Sequence, residues 1–343
     1  MEAIQELFQF LDINSRVDLK TVALENILGL TGSPDGIQLL TSSKSTIFPL
    51  LLKIASDDKS EALRKDASLA LINFSANKDA ATKMLDMGND DLEKFIKGLW
   101  SLITRSIYPS ADPAAMVLCN LTIEKVSCDK VYDCFKKNEI SVKQIVDRLC
   151  VEEKAATTNE QNEEVKKPKL HYLGPFLSNL SQLSEVREEL FANGCELFSR
   201  LLPFSEYSES TVRRGGVIGA IRNCCFDTSV HYMLLTKMDI LPRLLLPLAG
   251  PTPEDMEEED IEKLPIDLQY LDESKKPEQD ADIRYALYSV DISGFFFVTQ
   301  ISREINFGAF GEVLKLPFCN FGGSEYIVEI TEIHSHTFLA KNS

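Results

Sequence analysis

The sequence predicts an all-α chain built from stacked helical repeats. Three observations carry that expectation: a short pattern returns at near-constant spacing, the apolar residues between its copies fall at helical intervals, and no strand-like alternation competes before residue 293. The pattern is an apolar residue, any residue, Asn, then mostly an apolar and a small residue. It begins at Leu71 ("LINFSANKDAATKML"), Leu118 ("LCNLTIEKVSCDKVY"), Leu177 ("LSNLSQLSEVREELF") and Ile221 ("IRNCCFDTSVHYMLL"). A weaker copy at Ile27 ("ILGLTGSPDGIQLL") carries Gly in place of Asn. The marker positions are Gly29, Asn73, Asn120, Asn179 and Asn223, spaced by 44, 47, 59 and 44 residues. Repeats of ~40–47 residues are those of armadillo and HEAT arrays, in which each unit leaves an apolar face that the next unit covers. An armadillo/HEAT-like helical repeat solenoid is therefore expected over residues 1–293.

The elements follow in chain order. The first residues, MEAIQELFQFLDINSRVDLK, have neither a basic leader nor a long apolar core, so no secretory signal is expected. In "LRKDASLALINFS" one helical stripe holds Leu63, Ala67, Ala70, Leu71 and Phe74. The long interval between Asn120 and Asn179 contains "VEEKAATTNEQNEEVKKPK", residues 151–169, which has almost no large apolar side chain and reads as an inserted loop. "EVREELFANGCELFSRLLPF" is helical again, with Gly194 as a cap or break. A polar turn, "PFSEYSESTV", then leads into "VRRGGVIGAIRNCCFD". Its glycines lack the preceding buried strand and the G-x-G-x-x-G order of a dinucleotide loop, so Gly215, Gly216 and Gly219 are expected inside a helix, where a neighbouring helix approaches closely. A second insert spans 250–280, acidic at its head, with "LPIDLQYL" apolar enough to dock.

Composition excludes several functions. The net charge is −17, with 53 acidic against 36 basic residues, which disfavours a phosphate backbone; no nucleic-acid partner is expected. No run is long and apolar enough to span a membrane, so none is expected there either. The eight cysteines include no C-x-x-C pair, and Cys224 and Cys225 are adjacent. Reduced thiols and a cytoplasmic location are expected, with the nucleus also open. No catalytic group, metal site or cofactor is expected; His231 near the Cys pair offers no visible general-base geometry.

The binding candidates are Asn73, Asn120, Asn179 and Asn223, with Arg213 and Arg214. Three of these asparagines sit in N-x-S/T sequons, and without a secretory signal that recurrence needs another cause. An amide facing a concave groove would grip the main chain of an extended peptide; equally, each amide would satisfy a neighbouring helix end or loop. Both readings stay open on sequence alone. Of the arginines, one would pair with acidic residues of the adjacent repeat and the other would face the groove and bind a carboxylate.

The blocks "LPFSEYSESTVRRGGVIGAIRNCCFD", "DILPRLLLPLAGP", "LPIDLQYL" and "DADIR", with "NFSANKDAATKML" and "KLHYLGPFLSNLSQLSEVRE" upstream, resemble the armadillo-type Hgh-one family, also called brain-protein-sixteen-like. The resemblance covers about Met1 to Leu287. It implies a cytosolic, non-enzymatic adaptor that binds newly made translation elongation factor two and brings it to the ring chaperonin, with prefoldin involved. After Arg284 the resemblance ends. Residues 294–343 form an irregular tail in which eight of the 19 phenylalanines fall between Phe295 and Phe338, as expected of an altered splice or gene-model product. The alternatives are a nuclear import receptor, or a general peptide-binding repeat scaffold. Import receptors of this repeat type carry Trp four residues before the groove Asn; here those positions are Leu69, Met116, Pro175 and Gly219, and the single Trp is Trp100.

Overall fold

The computed structural model describes residues 2–42, 44–151, 167–238, 240–251, 257–262, 264 and 266–289. Among them every regular element is helical. Most of insert 151–169, part of insert 250–280 and all of the tail 294–343 lie outside the described residues. Contacts divide the chain into two compact units, parting between Glu189 and Leu190.

The first unit opens with α1 (Glu2–Phe10), followed by α2 (Val17–Thr31), α3 (Pro34–Thr41) and α4 (Lys44–Asp57). The next repeat is α5 (Glu61–Ala76), α6 (Lys78–Leu85) and α7 (Asn89–Thr104), and the one after is α8 (Ala111–Leu121), α9 (Lys125–Lys137) and α10 (Val142–Leu149). The unit closes with α11 (Leu173–Leu180) and the start of α12 (Ser184–Ser199). Each marker residue lies on the first helix of its repeat. These marker helices stack in series, α2 on α5, α5 on α8 and α8 on α11. The preceding helix of the chain packs across each step, α4 on α5, α7 on α8 and α10 on α11.

Apolar side chains make the steps. Phe48 of α4 meets Phe74 of α5 edge-on at 5.3 Å, and Trp100 of α7 meets Phe135 of α9 at 5.5 Å. Phe135 in turn meets Phe176 of α11 at 5.7 Å, so aromatic rings cross two repeat boundaries. All five are buried, and each full burial stabilises by about 1.5–3 kcal/mol. The single Trp thus belongs to the core and not to a marker helix.

The stripe read from "LRKDASLALINFS" is confirmed: Leu63, Ala67, Ala70, Leu71 and Phe74 are all buried. The Ser60 side chain caps α5 by accepting from the Leu63 amide at 3.4 Å. At the far edge of insert 151–169, Asp112 of α8 accepts from the backbone amides of Lys169 at 3.2 Å and Leu170 at 2.5 Å, returning the chain to the repeat.

In the second unit, α12 breaks where Gly194 was expected to break it: Asn193, Gly194 and Cys195 have φ of 52°, 77° and 69°. A short 3-10 turn over Leu202–Glu206 leads to α13 (Thr211–Cys225), capped by Ser210, whose oxygen accepts from the Arg213 amide at 3.1 Å. Gly215 and Gly216 are buried within α13, as their expected helical setting requires. Next come α14 (His231–Thr236), α15 (Ile240–Leu245) and α16 (Glu258–Ile261). The motif "LPIDLQYL" does dock: Leu264 and Leu268 are buried, and its 3-10 turn packs on α15. Residues 281–289 are helical, with Asp280 capping the amides of Asp282 and Ile283 at 3.0 Å each.

Candidate functional site

The asparagine ladder is built by α2, α5, α8 and α11. Asn73 donates through Nδ2 to Thr31 Oγ1 at 2.9 Å, Asn120 to Ser75 Oγ at 3.0 Å, and Asn179 to the Cys119 carbonyl at 2.9 Å and Thr122 Oγ1 at 3.3 Å. Each hydroxyl lies two residues after the marker of the preceding repeat. Each also spends its own proton inside its helix: Thr31 on Leu28, Ser75 on Ile72 and Thr122 on Leu118. A hydroxyl whose proton is committed can only accept, so the amide must present its NH2 edge.

This geometry supplies the cause that the sequons needed. In the sequons Asn73–Ser75 and Asn120–Thr122, the Asn reaches back one repeat while the Ser or Thr receives the Asn of the next, so both ends of these two tripeptides serve inter-repeat bonding. Of the two readings left open, the NH2 groups of Asn73, Asn120 and Asn179 follow the second: each donates to a neighbouring helix end. Their donors are spent on the scaffold, because a buried helix end leaves hydroxyls and carbonyls with open lone pairs. Asn120 is only 4% exposed, and its Oδ1 is buried without a partner among the described residues. Asn73 and Asn179 are half-buried, and no hydrogen bond reaches their Oδ1 atoms among the described residues. Asn223 is half-buried on α13 of the second unit.

The arginines are scaffold residues as well. Arg213 is 2% exposed; its guanidinium lies over the ring of Tyr207 at 5.0 Å and that of Phe204 at 5.9 Å. A groove-facing role for Arg213 is therefore corrected: the first turn of α13 points it into the core. Arg214 grips Glu278 in a two-pronged pair, Nε to Oε2 at 2.8 Å and Nη2 to Oε1 at 3.1 Å, and also donates to the Tyr207 carbonyl at 2.8 Å. It is the arginine that pairs with a neighbouring acid, as expected of one of the two.

The Arg214 pair has a counterpart in the first unit. Lys20 of α2 and Asp58 form a buried ion pair, and Asp58 Oδ1 also accepts from the Ser60 amide at 2.9 Å. Glu278 Oε1 likewise accepts from the Asp280 amide at 2.9 Å. In both places a cation nine residues before a marker holds an acid two residues before the next capping residue. Helical residues 281–289 thus begin where another marker helix is due.

The thiol candidates of α13 lie in the core. Cys224 and Cys225 are buried, and the His231 Nε2 donates to the Cys225 carbonyl at 2.6 Å, which commits that nitrogen as a donor. Burial pushes the Cys119 and Cys128 thiols up to about 12, with Asp129 adding to the effect at Cys128. Among the described residues no group of His, Cys, Asp or Glu is placed to hold a metal, and no helix is long and apolar enough to cross a membrane.

Marker helices stacked in register, tied by side-chain amides and crossed by helices packed on each step, define an armadillo-like repeat scaffold. Solved structures agree on the fold: a computationally designed armadillo repeat protein for modular peptide recognition superposes with a TM-score of 0.55 at 16% identity, over 84% of this chain and 99% of that one. A family model described as a domain of unknown function, DUF383, matches residues 102–285. Among curated proteins, the Protein HGH1 homolog of Drosophila melanogaster is 39% identical over 311 residues, covering 89% of this chain and 79% of that protein. The Protein HGH1 homolog of Danio rerio is 39% identical over 302 residues, covering 88% and 74%. The chain belongs to the HGH1 homologue family.

Proposed function

We propose that this protein is a non-enzymatic cytoplasmic adaptor that holds an incompletely folded client along its marker helices. The proposed client is newly made translation elongation factor two, which the adaptor delivers to the ring chaperonin with prefoldin taking part. Membership of the HGH1 homologue family, together with the adaptor role implied by the resemblance, supports the choice of client. The observation that carries the holding mechanism is the one-sided use of the ladder amides. Asn73 and Asn179 spend their donors on the preceding repeat and keep half-buried carbonyl oxygens. A main-chain N–H of an extended segment is the complementary group. Such contacts grip any sequence, which suits a client bound before its side chains are packed. A general peptide-binding scaffold is the coarser form of the same reading.

Affinity purification of the tagged full chain from cells, followed by mass spectrometry, tests the client assignment. Enrichment of elongation factor two with chaperonin subunits is expected. Importin beta with basic nuclear cargo would instead support the import-receptor alternative.

A further inference from the structure

The sequence offered Arg213 and Arg214 as carboxylate ligands, yet both guanidinium groups serve the fold. A third arginine on the same helix commits only its Nε to the fold. Arg222, next to the ladder position Asn223, is half-buried near the C-terminal end of α13. Its Nε donates to Ser289 Oγ at 2.5 Å, and Ser289 passes its own proton to the Ala286 carbonyl at 2.7 Å. Among the described residues no carboxylate pairs with Arg222, and neither terminal nitrogen has a hydrogen-bond acceptor. One face of the guanidinium covers the ring of Phe226 at 5.0 Å. The phenol of Tyr285 is near enough to interact electrostatically. Both rings reach solvent, Phe226 at 45% and Tyr285 at 49% exposure.

We propose that Arg222, flanked by Phe226 and Tyr285, is a recognition site for an Asp or Glu side chain of the bound client segment, beside an apolar client residue. The inference rests on the peptide-holding reading above and assigns that peptide a chemistry. Three considerations favour it. A half-buried cation with no carboxylate among the described residues is only partly compensated, and a ligand carboxylate would complete it. Burial lowers the pKa of Arg222, with Tyr285 opposing the shift, so the site favours an added negative charge. Finally, the chain carries net charge −17, which disfavours a carboxylate over much of its surface; a half-buried arginine then selects where one docks. The planar fork offers two parallel N–H groups to a carboxylate once Nε is fixed by Ser289. The exposed rings exclude water from that contact.

The test is a selection of random displayed peptides with amidated C-termini against the full chain, its Arg222→Gln variant and its Arg222→Lys variant. With the parent, enriched peptides should share an acidic residue next to an aromatic or aliphatic one. The best of them should bind Arg222→Gln roughly tenfold more weakly or worse, with only partial recovery in Arg222→Lys. Melting temperatures guard against a folding artefact: Arg222→Gln should stay close to the parent, because a partly desolvated charge is removed along with its Ser289 bond. Enrichment without an acidic preference, or an acidic preference unchanged in Arg222→Gln, overturns this inference and leaves peptide holding intact. A clear loss of stability in Arg222→Gln also overturns it, since Arg222 would then be a structural residue. No enriched peptides at all would overturn peptide holding and this inference together.

Discussion

Asn120 donates its side-chain NH2 to Ser75 Oγ at 3.0 Å, across the step from one marker helix to the preceding one. Because Ser75 gives its proton to the Ile72 carbonyl, the pair works in one direction only. Replacing the amide NH2 by oxygen places two acceptors face to face. Asn120→Asp should therefore destabilise the chain by about 3 kcal/mol or more, as a buried carboxylate with neither donor nor cation. Asn120→Ala loses one hydrogen bond of ~1 kcal/mol but also removes the unpartnered Oδ1, so it should stay within about 1 kcal/mol of the parent. Urea unfolding followed by circular dichroism distinguishes the two variants; equal stability would mean the amide is not read by Ser75.

Arg214 and Glu278 make a two-pronged pair with little solvent around it. Arg214→Met strands the acid, and a loss of about 3–5 kcal/mol is expected. Adding Glu278→Gln should restore part of that loss, because the stranded charge disappears. A double-mutant cycle on melting curves checks this, and a coupling near zero would contradict a structural role for the pair.

The buried thiols set an alkaline limit. Cys119 and Cys128 hold their protons up to about pH 12 in the folded chain, against about 8.5 when unfolded. Above about pH 8.5 the folded state binds more protons than the unfolded one, so their contribution to stability falls as pH rises through that window. The slope is at most ~1.4 kcal/mol per pH unit for each thiol. Urea unfolding at about pH 8 and about pH 10 should show the loss, and Cys119→Ala with Cys128→Ala should flatten it.

Gly216 is buried within α13, so an added side chain is expected to overpack it. Gly216→Leu should cost ~1–3 kcal/mol or more, while Cys225→Ser should cost less. Thermal denaturation of both gives the ranking. A leucine variant as stable as the parent would show that a partner or solvent, not packing, accounts for this glycine.

The repeats were legible because burial imposes a period on the sequence; the apolar stripe of α5 followed from helical spacing, and the break at Gly194 from the conformational freedom of glycine. The ladder was visible as recurring Asn, but its chemistry depended on the hydroxyl two residues beyond the previous marker. The recurring N-x-S/T held that signal, and only in three dimensions do the Asn of one copy and the Ser or Thr of another become partners. Arg213 and Arg214 could not be told apart, since adjacent helical residues point about 100° from each other and one turn decides which is buried. Glu278 looked like part of an acidic insert until the Arg214 pair tied it to the next helix. Arg222 carried no mark of its own, because its setting between Phe226 and Ser289 depends on how α13 meets residues 281–289.

The claim that the marker helices hold the client is tested most directly by site-specific photocrosslinking during synthesis of elongation factor two. The crosslinking amino acid is placed at Leu69, half-buried on marker helix α5, and separately at Val126, which is 71% exposed on α9. Adducts with elongation factor two from position 69, and none from position 126, are expected. Adducts from position 126 with none from position 69 would contradict holding by the marker helices and move the contact to another face of the repeats.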